Sequence, residues 1–260
     1  SAGHLFKKIF LKKKKLKIYP LDSEHFSLNL NYNKNEQHNY KNIYLTASGG
    51  PFLNKENIDL KKVTFKESID HPKWKMGYKN SIDSSTLANK CLEIIEAHYL
   101  FLIPFKKLKI LIHPECLIHS IIENKNYTSF MNYFYPDMSI PIYNFLQINT
   151  LNKYSPIQHN KFNFISNQSF NFKKVDNKIF PIYKIFNNLD KSKPINFIKF
   201  NVANQYAVEL FKNDRLLYNE IPIFINKALK IKFNFLINSI KNIIKFHYNF
   251  NKELDNFYEK

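Results

Sequence analysis

Beyond residue 177 the apolar residues recur only at helical spacing, in blocks at 178–190, 200–212, 218–230 and 233–258. A stretch with that single period buries one stripe of each helix against its neighbours, so 177–260 is expected to form a small all-α C-terminal domain. Before residue 147 the pattern is mixed. Helical spacing at 2–12 (Leu5, Ile9, Leu11), 56–70 and 84–101 alternates with the strand-like runs KIYPL (17–21), NIYLTA (42–47), LKILIH (108–113) and HSIIEN (119–124), followed by TSFMNYFY. Asp83 or Ser84 is the expected N-cap of the 84–101 helix. The mixture predicts an α/β (α+β) domain with a mixed sheet over 1–147. Residues 148–176 lose periodicity in Asn, Ser and Pro and read as a connecting segment.

Composition narrows the class. In 260 residues, 44% hydrophobic and 16% aromatic content supplies a sizeable core and argues against disorder. A formal net charge of +18 invites polyanions. Yet Arg215 is the only arginine among 39 basic residues, and base-reading surfaces draw on the bidentate guanidinium. A codon bias toward A and T accounts for the abundance of Lys, Asn, Ile, Phe and Tyr, so no specific nucleic acid is expected, and a basic nucleic-acid-binding protein is the competing reading. Cys91 and Cys116 make no disulfide framework, which favours a reducing compartment. No apolar run is long enough to span a bilayer, so no membrane is expected. The run KKKKLK leads into an apolar segment and reads as a solvated helix end. The opening SAGHLF, without Met, reads as a piece of a longer precursor.

Four stretches carry chemistry. In DSEH (22–25), after a strand candidate, Asp22 and Glu24 project to one face of an extended chain. Two such carboxylates suit a hard divalent cation such as Mg²⁺ or Mn²⁺, and equally a solvated turn or a helix cap. TASGGPF (46–52) joins two glycines to Ser48, a phosphate cradle or a tight turn. On the 84–101 helix, Asn89, Lys90 and Glu93 stand three and four apart and crowd one side, with Ser84 and Ser85 at the N-terminus, where donors favour anions. HPKWKMG (71–77) places the only tryptophan beside Met76 in a loop, a lid over a ligand or a plug in the core. His113 and His119 bracket a strand-turn-strand unit.

The succession LDSEH, TASGGPF, HPKWKMG, IDSSTLANKCLEIIEAH, HPECLIHS, PDM and NVANQYAVELF resembles the 1-deoxy-D-xylulose 5-phosphate reductoisomerase family over nearly the whole chain. The resemblance implies isomerisation and NADPH-dependent reduction of a phosphorylated sugar in non-mevalonate isoprenoid synthesis. By that resemblance Asp22, Glu24 and Glu93 are the ligands of Mg²⁺ or Mn²⁺, and Ser23 contacts a substrate hydroxyl. Ser48, Ser84, Asn89 and Lys90 hold the phosphate. His71, Trp74 and Met76 form a flap, and Glu24, His71, Glu96 and His119 are catalytic positions. Cys91, Glu115-Cys116, Ser139 and Val202 with Gln205 depart from the family's usual residues, none at a metal ligand. The Glu115-Cys116 and Tyr135-Pro-Asp-Met variants resemble those of malaria-type parasites, which implies a plastid; the location is otherwise cytoplasmic. The family forms homodimers and carries an NADPH-binding domain that nothing in these residues resembles. The chain alone is therefore expected to be inactive, and an inactive relative that keeps the fold is the remaining alternative.

Overall fold

The computed structural model describes residues 1–13, 17–53, 59–70, 76–149 and 169–259. Its helices are α1 (Gly3–Lys12), α2 (Ser23–Asn31), α3 (Phe65–Ile69), α4 (Tyr78–Thr86), α5 (Ala88–Phe101), α6 (Ser139–Asn149), α7 (Pro181–Asn187), α8 (Pro194–Lys212), α9 (Ile221–Lys230) and α10 (Ile240–Tyr258). The strands are β1 (Tyr40–Ala47), β2 (Leu108–Ile112), β3 (Ile118–Asn124), β4 (Ser129–Tyr133) and β5 (Lys173–Lys174). They fall into two compact units, one formed by 17–48 and 106–174, the other by 1–16, 49–105 and 175–260.

The first unit holds the sheet, in the order β4-β3-β1-β2-β5. β1 and β2 run parallel, Ile43 opposite Leu108 through Ala47 opposite Ile112, and the other pairs are antiparallel, so the sheet is mixed as expected. Parallel neighbours need a long crossover, and residues 49–105 supply it. Ile43, Leu45, Ile118 and Ile122 are buried at its centre. α2 is docked on the sheet by polar and aromatic contacts together. Ser120 Oγ donates to Ser27 Oγ at 2.8 Å, Asn132 Nδ2 donates to the Ser27 carbonyl at 2.8 Å, and Phe26 meets Phe134 edge-on at 5.7 Å.

The second unit is helical. α8 buries residues on most of its circumference, among them Phe197, Ile198, Phe200, Ala203, Ala207 and Val208, as a central helix must. Lys199 on that helix is buried too, its ammonium donating to the Leu229 and Ile231 carbonyls at 2.6 and 2.7 Å. It thereby satisfies carbonyls that the end of α9 leaves without helical partners, and burial lowers its pKa. α10 turns Phe246 and Phe250 onto Phe233, each pair of rings 5.2 Å apart.

Several elements differ from the reading of the sequence. Residues 17–21 form no strand, because Pro20 has no N–H for a ladder and the segment instead leads into α2. Of the expected 56–70 helix, 56–58 lie outside the described residues, and within 59–70 the helix is limited to α3, started by a capping box between Thr64 and Glu67. The 84–101 helix begins earlier, at Tyr78, and breaks at Leu87. Helix α10 starts only at Ser239, its N-cap, and not at 233. The compact units also do not follow the linear division 1–147, 148–176 and 177–260, since α1 and α3–α5 group with the later helices. Most of 148–176 lies outside the described residues; its described end forms β5.

On the sheet, Glu123 is a hub. Lys41 Nζ, Asn42 Nδ2 and Tyr44 Oη donate to it at 2.7, 2.8 and 2.9 Å. These bonds, the one from Lys41 first, pull its pKa from 4.5 down to about 2. A carboxylate depressed on folding stabilises above its unfolded pKa, and that contribution is lost as pH falls through the folded value. Urea unfolding should therefore find Glu123→Gln less stable than the parent at neutral pH, with the difference closing as pH drops from 4.5 toward about 2.

Candidate functional site

The sheet unit carries Asp22, Ser23, Glu24, Ser48 and His119. Asp22 is not at a strand end; it is the N-cap of α2, its Oδ1 accepting the N–H groups of Glu24 and His25 at 3.1 and 3.0 Å. Those amides stabilise the Asp22 carboxylate, and the dipole of the helix start favours negative charge at both Asp22 and Glu24. The buried Ser23 hydroxyl donates to Glu24 Oε2 at 2.6 Å, and buried His25 places Nδ1 3.2 Å from Asp22 Oδ1. Ser48 follows β1 and is half-buried. His119 lies in β3, buried and stacked flat on Phe134 at 4.1 Å, with Nε2 3.4 Å from the Phe134 carbonyl.

The helical unit carries Ser84, Asn89, Lys90, Glu93, Glu96 and Met76. The one-sided crowding expected from spacing is present. Lys90 Nζ pairs with Glu93 Oε2 at 2.7 Å, and Asn89 Nδ2 donates to Glu93 Oε1 at 2.5 Å. Lys90 and Glu93 are both buried, so each stands in for the water the other has lost. Ser84 is half-buried one turn before the break, and its carbonyl accepts the Leu87 N–H at 3.2 Å. Leu87 adopts the left-handed conformation, φ 66°, which turns the chain from α4 into α5. Such a φ costs a non-glycine residue about 1–2 kcal/mol, and complete burial of the Leu87 side chain offsets it. Met76 is half-buried just before α4, while His71 and Trp74 lie outside the described residues. Glu96 is exposed and lines a cavity of about 300 Å³ with His4, Tyr99, Phe197 and Asn201, not with Glu93.

With that geometry in hand, comparison with known proteins decides the family. Residues 18–101 match the 1-deoxy-D-xylulose 5-phosphate reductoisomerase C-terminal domain, and residues 135–253 match the DXP reductoisomerase C-terminal domain. The chain belongs to the 1-deoxy-D-xylulose 5-phosphate reductoisomerase family. It is 43% identical over 175 residues to the reductoisomerase of Sulfurihydrogenibium sp., an alignment covering 67% of this chain and 46% of the relative. It thus spans about half the length of the curated relatives it matches. The reductoisomerase of Zymomonas mobilis in complex with NADPH superposes with a TM-score of 0.87 at 27% identity, covering 100% of this chain and 66% of that one. A reductoisomerase in complex with NADPH, fosmidomycin and magnesium gives 0.82 at 26% identity, covering 100% and 68%.

Three features of this chain escaped the sequence reading. Asp83, expected as a possible helix cap, is instead buried inside α4, paired with Lys79 and accepting from Asn204 Nδ2 at 2.9 Å. Burial raises its pKa, opposed by Lys79 and Asn204. Tyr218 Oη donates to Ser85 Oγ at 3.0 Å, and both are buried. Only the four-residue step from Lys79 to Asp83 has a local signal; Asn204 and Tyr218 are 121 and 133 residues from their partners. The third is Gly50, whose φ is 70° and at which a Cβ would lie 2.6 Å from Ser85 Cα. Strain at positive φ and a backbone clash together predict that Gly50→Ala costs about 2–4 kcal/mol in urea unfolding.

Proposed function

We propose that this chain supplies the metal- and substrate-binding part of an enzyme that isomerises 1-deoxy-D-xylulose 5-phosphate and reduces the product with NADPH to 2-C-methyl-D-erythritol 4-phosphate. Family membership supports the reaction. The observation that carries the site is the hydrogen-bonded cluster on α5 in which half-buried Asn89 joins the buried pair Lys90 and Glu93.

The donors of Asp22, Glu24 and Glu93 are all carboxylate oxygens, the chemistry that fits Mg²⁺ or Mn²⁺ and not a softer metal. A cation bound by them supplies Lewis-acid polarisation of a ketone and its neighbouring hydroxyl. Glu24 is oriented for this by the Ser23 hydroxyl, Asp22 by two backbone N–H groups, and Glu93 by Lys90 and Asn89. Ser23 contacts a substrate hydroxyl. The Lys90 ammonium, the Asn89 amide and the hydroxyls of Ser48 and Ser84 hold the phosphate, helped by the N-terminal amides of α5, which has no side-chain cap of its own. Gripping the phosphate uses binding energy remote from the reacting carbons. His71, Trp74 and Met76 then close over the sugar and exclude water. Glu96 and His119 are assigned catalytic positions by family resemblance, as are homodimer formation and a plastid setting.

NADPH needs a dinucleotide-binding turn, and the four glycines Gly3, Gly49, Gly50 and Gly77 do not make a G-x-G-x-x-G. Residues 1–260 by themselves therefore bind metal and sugar phosphate without oxidising NADPH.

Calorimetry on the chain should show Mn²⁺ binding that Asp22→Asn and Glu93→Gln weaken by about 100-fold or more, beyond what loss of an outer-shell partner costs. Lys90→Ala should weaken the sugar phosphate much more than Mn²⁺; equal loss of both, or of neither, counts against the clamp. Substrate-dependent NADPH consumption by residues 1–260, free of host enzyme, would overturn the claim that they do not turn over alone.

A further inference from the structure

The proposed clamp is built on two helices that meet at a bend. Ser84 sits on α4 and Asn89 and Lys90 on α5, so their spacing depends on the left-handed residue between them, Leu87. Locally, the Ser85 hydroxyl donates to the Ile82 carbonyl at 2.7 Å, and the Thr86 hydroxyl lies 3.4 Å from both the Asp83 carbonyl and the Ala88 amide; these bonds tie the bend only to its own two helices. Three contacts from elsewhere in the helical unit fix the last turn of α4 against the rest of that unit. The backbone of Gly50 lies so close to Ser85 that no side chain fits between them. Tyr218, seated edge-on against Phe52 at 5.2 Å and Phe211 at 5.7 Å, donates to Ser85. Asn204, fully buried on α8, donates to Asp83, the residue next to Ser84.

The Asn204 contact carries the most charge and is the hardest to replace. A carboxylate only accepts, so the amide nitrogen faces Asp83. Lys79 on the same helix meets the other carboxylate oxygen, which balances the charge but ties α4 only to itself. Without Asn204 a buried carboxylate oxygen loses its donor, and α4 gains by turning Asp83 toward water, which would swing Ser84 away from Asn89 and Lys90.

We infer that Asn204, acting through Asp83, is a positioning residue that sets the geometry of the phosphate clamp. The inference rests on the proposed function, and it gives a role to the NVANQ stretch that the reaction itself leaves unused.

The test uses the full-length protein with sugar phosphate, NADPH and Mn²⁺. Asn204→Leu, nearly isosteric but without a donor, should raise KM for the sugar phosphate and the inhibition constant of inorganic phosphate each by about tenfold, as expected for one charge-assisted hydrogen bond. KM for NADPH and the half-saturating Mn²⁺ concentration should stay within about twofold. A rise in all four constants together is the mark of general loosening and overturns the inference, as does no rise in any. Should Asn204→Leu fail to fold, Tyr218→Phe, which deletes one oxygen from the neighbouring grip, should raise the same two phosphate constants about threefold; unchanged constants there overturn it. If the parent protein does not turn over the sugar phosphate, the proposed function fails and takes this inference with it. If the parent turns over and the variants match it, only the positioning role falls.

Discussion

A carboxylate and an ammonium taken out of water together must satisfy each other, and the Lys90–Glu93 pair imposes that condition on the helical unit. One turn of α5 brings the two ends together, with Asn89 completing the acceptor, so the pair needs α5 to begin before residue 89 and to run unbroken past residue 93. The hydroxyls of Ser85 and Thr86 bond backwards to the carbonyls of Ile82 and Asp83, competing with a continuous helix at that point. The chain meets both demands by ending α4, passing Leu87 through a left-handed turn and starting α5 afresh. Neutralising either Lys90 or Glu93 would strand the other as a buried charge, which ties local stability to the residues proposed to hold phosphate and metal.

The sheet unit solves the corresponding problem with backbone donors. Asp22 and Glu24 are half-buried acids at the mouth of a helix, where the Glu24 and His25 N–H groups donate to Asp22, and α2 is held on the sheet by Ser27, Phe26 and their partners in β3 and beyond. A departure from the family's usual residues also gains a physical account here. Glu115 accepts from Asn171 Nδ2 at 2.6 Å and lies 2.9 Å from Nδ1 of the buried His113, while the other ring nitrogen, Nε2, accepts the Leu117 N–H. Those contacts fasten the segment that enters β5 to the β2–β3 turn, so the acid at this position serves packing.

Much of this was legible from the chain alone where the cause is local. The short strand-like runs NIYLTA, LKILIH and HSIIEN mark β1, β2 and β3, and spacing of three and four residues on one helix is enough to gather Asn89, Lys90 and Glu93. Residue types that bind hard cations and phosphate, in a recognisable order, also pointed to the family. Helix α6 was not anticipated, since SIPIYNFLQIN contains a proline and β-branched residues that hide its period. The start of α2 stayed open because Asp-x-Glu serves on a strand and at a helix cap, and only the backbone distinguishes them.

What the sequence determined, then, is whatever depends on neighbours within about one helical turn or one strand: element type, the α5 cluster, the candidate ligand types. What the tertiary structure alone decided depends on residues far apart along the chain. The burial of Asp83, its tie to Asn204, the grip of Tyr218 on Ser85, the exclusion of any side chain at Gly50 and the grouping of α1 and α3–α5 with the late helices leave no periodic trace, because each arises only when packed helices bring distant segments into contact and remove the water between them.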